Sequence, residues 1–342
     1  MVIAMCAQIK MEYRYFSIVS FKSYISKARQ LFYQFNSKRY FYGVFYVFKI
    51  SLDLYAVRLE KESCMISFPA GADTRDIKAW VDFIRSADIP VLKQTAREMA
   101  RLKEDEDRLS ARVISAVVLN DPMMVFKVLC YSQNHKSKRQ VQDLLQVEQA
   151  ILMMGMTTFF RDIPLNYLVE EALKDNLTAL THLLRMIKRA HRAAKFAADW
   201  ATHLADLHAE EVCIAALLHD LSEMLMWCFA PDKMNIIYNA QQSDKTLRSQ
   251  TAQQEILGFK LHDLQKELVE AFQLPPLLSK LMQDAASNEP RVKNVVLAVN
   301  LARHSANGWD DAALPDDYSD VAEFLRVDVD RAKRIIGVPV ES

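Results

Sequence analysis

Glycine is scarce in this 342-residue chain, six in all, and proline is limited to ten. So few turn formers argue against a many-stranded sandwich or barrel. No Gly-rich phosphate loop of the P-loop or Rossmann kind is present, and no G-x-S-x-G elbow. The five cysteines, Cys6, Cys64, Cys130, Cys213 and Cys228, are odd in number, scattered and never spaced as C-x-x-C. That excludes a disulfide framework and a zinc knuckle and fits free thiols in a reducing compartment. Neither charge dominates, with 43 basic and 43 acidic residues, so there is no global nucleic-acid signal. The strongly apolar "YFYGVFYVF" near the N-terminus falls far short of the ~20 residues that a membrane span needs. No compact apolar region is followed by a small-residue cleavage site. A cytoplasmic protein without a membrane span is expected.

What remains is rich in helix formers. Half of the chain is apolar and a quarter charged, enough for a large core. Abundant Ala, Leu, Lys, Glu and Gln favour an all-α fold. Residues 1–64 stand apart as a basic aromatic extension. Their first fifty positions hold fourteen Phe or Tyr, eight Lys or Arg and a single acid, Glu12. Such an arm can bind anionic surfaces or stack on bases, so nucleic acid is expected only through this segment. The plainer reading is a poorly structured extension, and the change of composition near Met65 makes that methionine an alternative start.

Residues 76–175 read as a string of short helices. "DTRDIKAWVDFIRSA" opens it, and "IPVLKQTAREMARLK" follows with Pro90 at a helix start and Leu92, Ala96, Met99 and Leu102 at helical spacing. Asp121-Pro122 divides "DRLSARVISAVVLNDPMMVFKVLCYS" into two helices, because proline fits the first turn and not the interior. "VQDLLQVEQAILMMG" carries Leu144, Val147, Ala150, Ile151 and Met154 on one face and ends at Gly155. Residues 176–342 hold the chemistry. "NLTALTHLLRMIKRAHRAAKFAADWATHLA" reads as one long helix. "AEEVCIAALLHDLSEMLMWCFA" reads as a buried helix running into a second. Later helices are expected over "TLRSQTAQQEILG", "KLHDLQKELVEAFQL", "PPLLSKLMQDAA", "EPRVKNVVLAVNLARHSA" and "RVDVDRAKRIIG".

His219-Asp220 ends the apolar run "VCIAALL". An ionised aspartate at that buried junction must find a cation, since its desolvation costs several kcal/mol. His191 lies on the mostly apolar face of the long helix. Two imidazoles and a carboxylate suit iron, manganese or zinc. His262-Asp263 repeats the dipeptide, so the pair alone is a weak signal.

His191 followed by His219-Asp220 resembles the HD superfamily of metal-dependent phosphohydrolases. The proline-led helix, the "DP" helix start and the helix ending in Met-Gly are together similar to the HDOD family over about residues 80–305. That resemblance implies a two-lobed, all-helical bacterial signalling module, with lobes at 76–175 and 176–342. It implies that His191, His219 and Asp220 stand at metal-ligand positions and Asn300 at the place of the last aspartate. His262 stands near a further ligand of two-metal members, and "LMQDAAS" offers Gln283 and Asp284 where a His-His pair would follow. The family's catalytic H-D-[IL]-G-K gives way here to a run ending in Glu223, which would repel a phosphate at close range. Lys188 and Lys195 flank His191 and are candidate surrogates for the ion or contacts for an anion.

The expected function is a non-catalytic regulatory module that binds a signalling protein or small ligand through a degenerate HD site and needs no cofactor. The alternative is a metal-dependent phosphohydrolase or phosphodiesterase acting on a nucleotide, with iron, manganese or zinc held by His191, His219, Asp220 and Asn300.

Overall fold

The architecture follows from caps and apolar stripes read along the chain. The computed structural model describes residues 68, 73–104, 109–135, 145–282 and 289–339. The expectations for residues 1–64, Leu144, Gln283 and Asp284 lie outside these. Helix α1 (Ile77–Ser86) begins where the Asp76 carboxylate accepts the Lys78 N–H, and it buries Trp80, Val81, Phe83 and Ile84. Helix α2 (Lys93–Glu104) starts three residues after Pro90. Its start is held from elsewhere. Val91 bridges in parallel to Leu168, and the Lys93 N–H donates to Glu170 at 2.9 Å.

Helices α3 (Ala111–Val118) and α4 (Pro122–Asn134) are divided at Asp121, as the proline requires. Short helices α5 (Val147–Met154), α6 (Met156–Asp162) and α7 (Val169–Ala172) follow. Gly155, at φ +83°, closes α5 and turns directly into α6, a backbone conformation that favours glycine.

The long helix α8 (Leu177–His203) spans 27 residues, capped by Asn176. It packs against α9 (Ala209–Leu218), which passes through His219 and Asp220 into α10 (Leu221–Phe229). The stretch Ala209–Phe229 is long and apolar enough to cross a membrane, but most of its residues are buried inside the fold. Helices α11 (Pro231–Ser243), α12 (Ser249–Leu257), α13 (Leu261–Ala271) and α14 (Pro276–Leu281) lead to α15 (Pro290–His304), which lies along α8. Helices α16 (Leu314–Leu325) and α17 (Val329–Ile336) complete the described chain. Gly258 ends α12 at φ +88°, and a Cβ there would meet the Arg75 Cβ at 2.8 Å, so that close approach requires glycine.

The fold is all-α, as expected, with no strand among the described residues. Helices α11 and α16 were not anticipated. Yet α16 buries Leu314, Tyr318, Val321, Ala322 and Leu325, an apolar period that its acidic composition obscured. One connected cluster of buried apolar side chains runs from Trp80 to Ile336. Within it Phe83 of α1 meets Phe229 of α10 edge-on at 5.3 Å.

Candidate functional site

The site is built where α9 gives way to α10 beside α8. The Asp220 side chain is 17% exposed. Its Oδ2 accepts a hydrogen bond from an Arg189 guanidinium N–H at 2.7 Å, and its Oδ1 accepts one from His219 Nδ1 at 3.0 Å. A second guanidinium, that of Arg303 on α15, stands 3.7 Å from Oδ1. Burial alone would raise the Asp220 carboxyl. The His219 hydrogen bond and the charges of Arg189 and Arg303 outweigh it and hold the group well below the usual carboxylate range. Burial likewise disfavours the Arg189 charge, and Asp220 and Glu223 more than restore it. Glu223, one turn further along α10, moves the other way: burial raises its carboxyl, Arg189 opposes this, and the neighbouring Asp220 charge adds to it.

The cation on Asp220 corrects the sequence expectation. Lys188 and Lys195 are exposed on α8, and Arg189 takes the place proposed for them. One residue along a helix is a rotation of about 100°. The stripe that meets Asp220 therefore runs through Arg189 and Ala193, not through Lys188, His191 and Lys195. Arg189 and Ala193, with Ala190, Ala216 and Val299, line a crevice of about 10 Å³ at Asp220. That is room for roughly one water.

His191 is half-buried, and its Nε2 lies 3.0 Å from the Asn120 carbonyl oxygen in the turn between α3 and α4. A carbonyl can only accept, so Nε2 carries the proton and the ring's lone pair lies on Nδ1. Asn300 is half-buried on α15, and His262 is half-buried on α13. The His262 side chain lines a separate cavity of about 160 Å³ with Gln265, Lys266, Val269, Glu270, Ser279 and Met282. Among the described residues no three His, Cys, Asp or Glu side chains gather as a metal-holding group. The arrangement does not fit a divalent ion. An arginine holds the only carboxylate of the expected ligand set.

Two anchors were missed by sequence reasoning. Gln265 on α13 is buried; its Oε1 accepts the Ser222 N–H at 2.7 Å and its amide donates to the Leu218 carbonyl at 3.0 Å. The Ser222 hydroxyl donates to the Leu261 carbonyl at 2.8 Å. Together these clasp the turn that carries His219-Asp220. The available signal was a glutamine on the apolar stripe of Leu261, Leu264 and Leu268. The second anchor is Lys127, nearly buried on α4, whose ammonium donates to Asp88 at 2.7 Å, the Ile89 carbonyl at 3.0 Å and the Pro164 carbonyl at 2.6 Å. It ties α4 to the loops before α2 and after α6.

The helical fold and the His-Asp junction define a protein of the HD-related class. The HDOD domain family matches residues 89–287, more than half of the chain, and the chain belongs to that family. Among solved structures, it is similar to the MmoQ response regulator of Methylococcus capsulatus at 14% identity and TM-score 0.56, over 74% of this chain and 99% of that one. It is also similar to a virulence factor of Campylobacter jejuni at 15% identity and TM-score 0.56, over 76% of this chain and 97% of that one. At these identities the likeness concerns the fold. No curated protein matches the chain.

Proposed function

We propose that the chain is a non-catalytic regulatory module of bacterial signal transduction, in which the HD junction serves as a structural clamp. The observation that carries this reading is the Arg189 guanidinium, 2.7 Å from the Asp220 carboxylate. A guanidinium is permanently charged and geometrically matched to a carboxylate, so it satisfies the group as an ion would. Unlike an ion, it offers no open coordination position at which to activate a water. Glu223 puts a second acidic group beside Asp220, which disfavours a phosphate there. The HDOD family membership and the response-regulator name of one solved relative point the same way. The module would act by binding a signalling protein or small ligand and passing on a change in helix packing.

The test is elemental analysis of protein purified without chelators, paired with turnover of bis-(p-nitrophenyl) phosphate in the presence of manganese or magnesium. Substoichiometric metal is expected, with wild type no faster than Asp220→Ala. Stoichiometric iron or manganese that is lost in His219→Ala, with turnover that is lost in Asp220→Ala, would overturn the reading and make the chain a hydrolase.

A further inference from the structure

The cavity of about 160 Å³ between α13 and α14 shares a side chain with the clasp on the HD turn. That side chain is Gln265. It lines the cavity, yet both ends of its amide are engaged with the turn: Oε1 accepts the Ser222 N–H at 2.7 Å, and Nε2 donates to the Leu218 carbonyl at 3.0 Å. Nε2 also lies 3.5 Å from the Met282 sulfur, and Met282 lines the cavity too. A molecule seated there would press on the residue that holds the turn and on its neighbour.

The lining is ordered by burial. Gln265, Val269 and Met282 are buried, His262 and Ser279 are half-buried, and Lys266 and Glu270 are exposed at the rim. Positions 262, 266 and 270 recur every four residues and so share one stripe of α13, with Ser279 supplied by α14. Neither Lys266 nor Glu270 has an ion-pair partner among the described residues, and they do not pair with each other. Lysine four residues before glutamate is the weaker order for a helical ion pair, so both charges stay open to a ligand. The cation of α14, Lys280, is by contrast already paired with Glu289.

These groups narrow the ligand. An ammonium and a carboxylate one helical turn apart match a molecule that carries one charge of each sign. Lys266 and the Ser279 hydroxyl would take its carboxylate, and Glu270 its ammonium. Val269 and Met282 give an apolar seat for its side chain, and methionine adapts to the shape it meets. A cavity of about 150 Å³ takes a molecule the size of benzene, so the ligand is compact. A nucleotide is too large and would set its phosphates against Glu270.

We propose that this cavity binds a free aliphatic α-amino acid, and that occupancy steadies the HD turn through Met282 and Gln265. The proposal rests on the regulatory reading and gives its small ligand a place and a route to the turn.

Isothermal titration calorimetry of the full chain against the individual proteinogenic amino acids tests it. Valine, leucine or methionine is expected to bind with a Kd below about 1 mM, and tryptophan is expected not to bind. The methyl ester and the N-acetyl derivative of the amino acid that binds each lack one charge and should bind at least about tenfold more weakly. Lys266→Ala and Glu270→Gln should weaken binding to the same extent with unchanged helical circular dichroism. Amides of residues 218–222 should exchange with deuterium at least about threefold more slowly in the presence of ligand. The inference is overturned if no amino acid binds, if the ester or the N-acetyl derivative binds as tightly, or if both variants keep wild-type affinity. Binding that leaves exchange at residues 218–222 unchanged overturns the route to the turn. Should either variant lose its helical signal, the two derivatives on wild type decide alone. Metal-dependent turnover would overturn the regulatory reading and leave the binding isotherm as measured, whereas a metal-free chain that binds no amino acid overturns only the ligand assignment.

Discussion

Two aspartates, one buried and one half-buried, each at the start of a helix, are satisfied in opposite ways. Asp121 begins α4 and is wholly buried. It accepts N–H groups from Met123 at 3.0 Å, Met124 at 3.2 Å and Leu92 at 2.7 Å. Asp220 begins α10 and is held by arginine and histidine side chains. Burial raises the Asp121 carboxyl, and its backbone hydrogen bonds only partly oppose this. At Asp220 the cations win. Neutral dipoles can satisfy a buried acid without making its charge favourable, whereas a guanidinium at contact does both. The first aspartate caps its own helix and ties it to the Leu92 N–H before α2, and the second joins three helices that are far apart in sequence.

The largest effect is expected at Asp121. Asp121→Ala would orphan three N–H groups, two of them inside the core, and cost about 3 kcal/mol in urea unfolding, with Asp121→Asn costing less because its oxygen can still cap. A loss below 1 kcal/mol for the alanine variant would dissolve the contrast. Next comes the clamp. Arg189→Met strands a carboxylate and should cost about 2 kcal/mol, whereas Arg189→Met with Asp220→Leu should recover at least half of the loss. A double variant as unstable as the sum of the single ones would mean that the pair is not coupled. Gln265→Ala should cost about 1–2 kcal/mol, because the Ser222 N–H and Leu218 carbonyl lose their partners. Wild-type stability in that variant would show the clasp to be idle.

The smallest effect, and the sharpest test of the contrast, is pH dependence. A lowered folded-state pKa means that Asp220 contributes stability above about pH 4, and that this contribution is lost as pH falls through its folded value. A raised one means that ionised Asp121 costs stability at neutral pH, and that the cost vanishes on acidification. From pH 7 to 4, wild type should therefore gain stability relative to Asp121→Asn, while its margin over Asp220→Asn holds and then shrinks below pH 4. Parallel pH profiles for the two variants would refute the opposite shifts.

The helix start at Asp121 was legible in the residues themselves, because an Asp-Pro pair between apolar runs carries its own local geometry; its bond to the Leu92 N–H was not. The break after "AALL" was legible too, since an apolar helix cannot run on through His-Asp without a reason to stop. Who meets Asp220 was not legible. Lys188, Arg189 and Lys195 are all basic, all on one helix, and differ only in rotation about its axis. His191 likewise sits on a face that reads as inward, yet it ends on the Asn120 carbonyl of a distant turn.

Composition, caps and apolar spacing by themselves determined an all-helical chain, the division at Asp121-Pro122, the long α8 and the position of the HD junction. These follow from interactions a few residues apart, which a linear pattern records. Packing between remote helices set the rest: Arg189 and Arg303 hold the carboxylate, Gln265 clasps the turn, and Lys127 joins three segments. Those choices depend on the rotation and distance of helices packed from remote parts of the chain, and no local spacing encodes them.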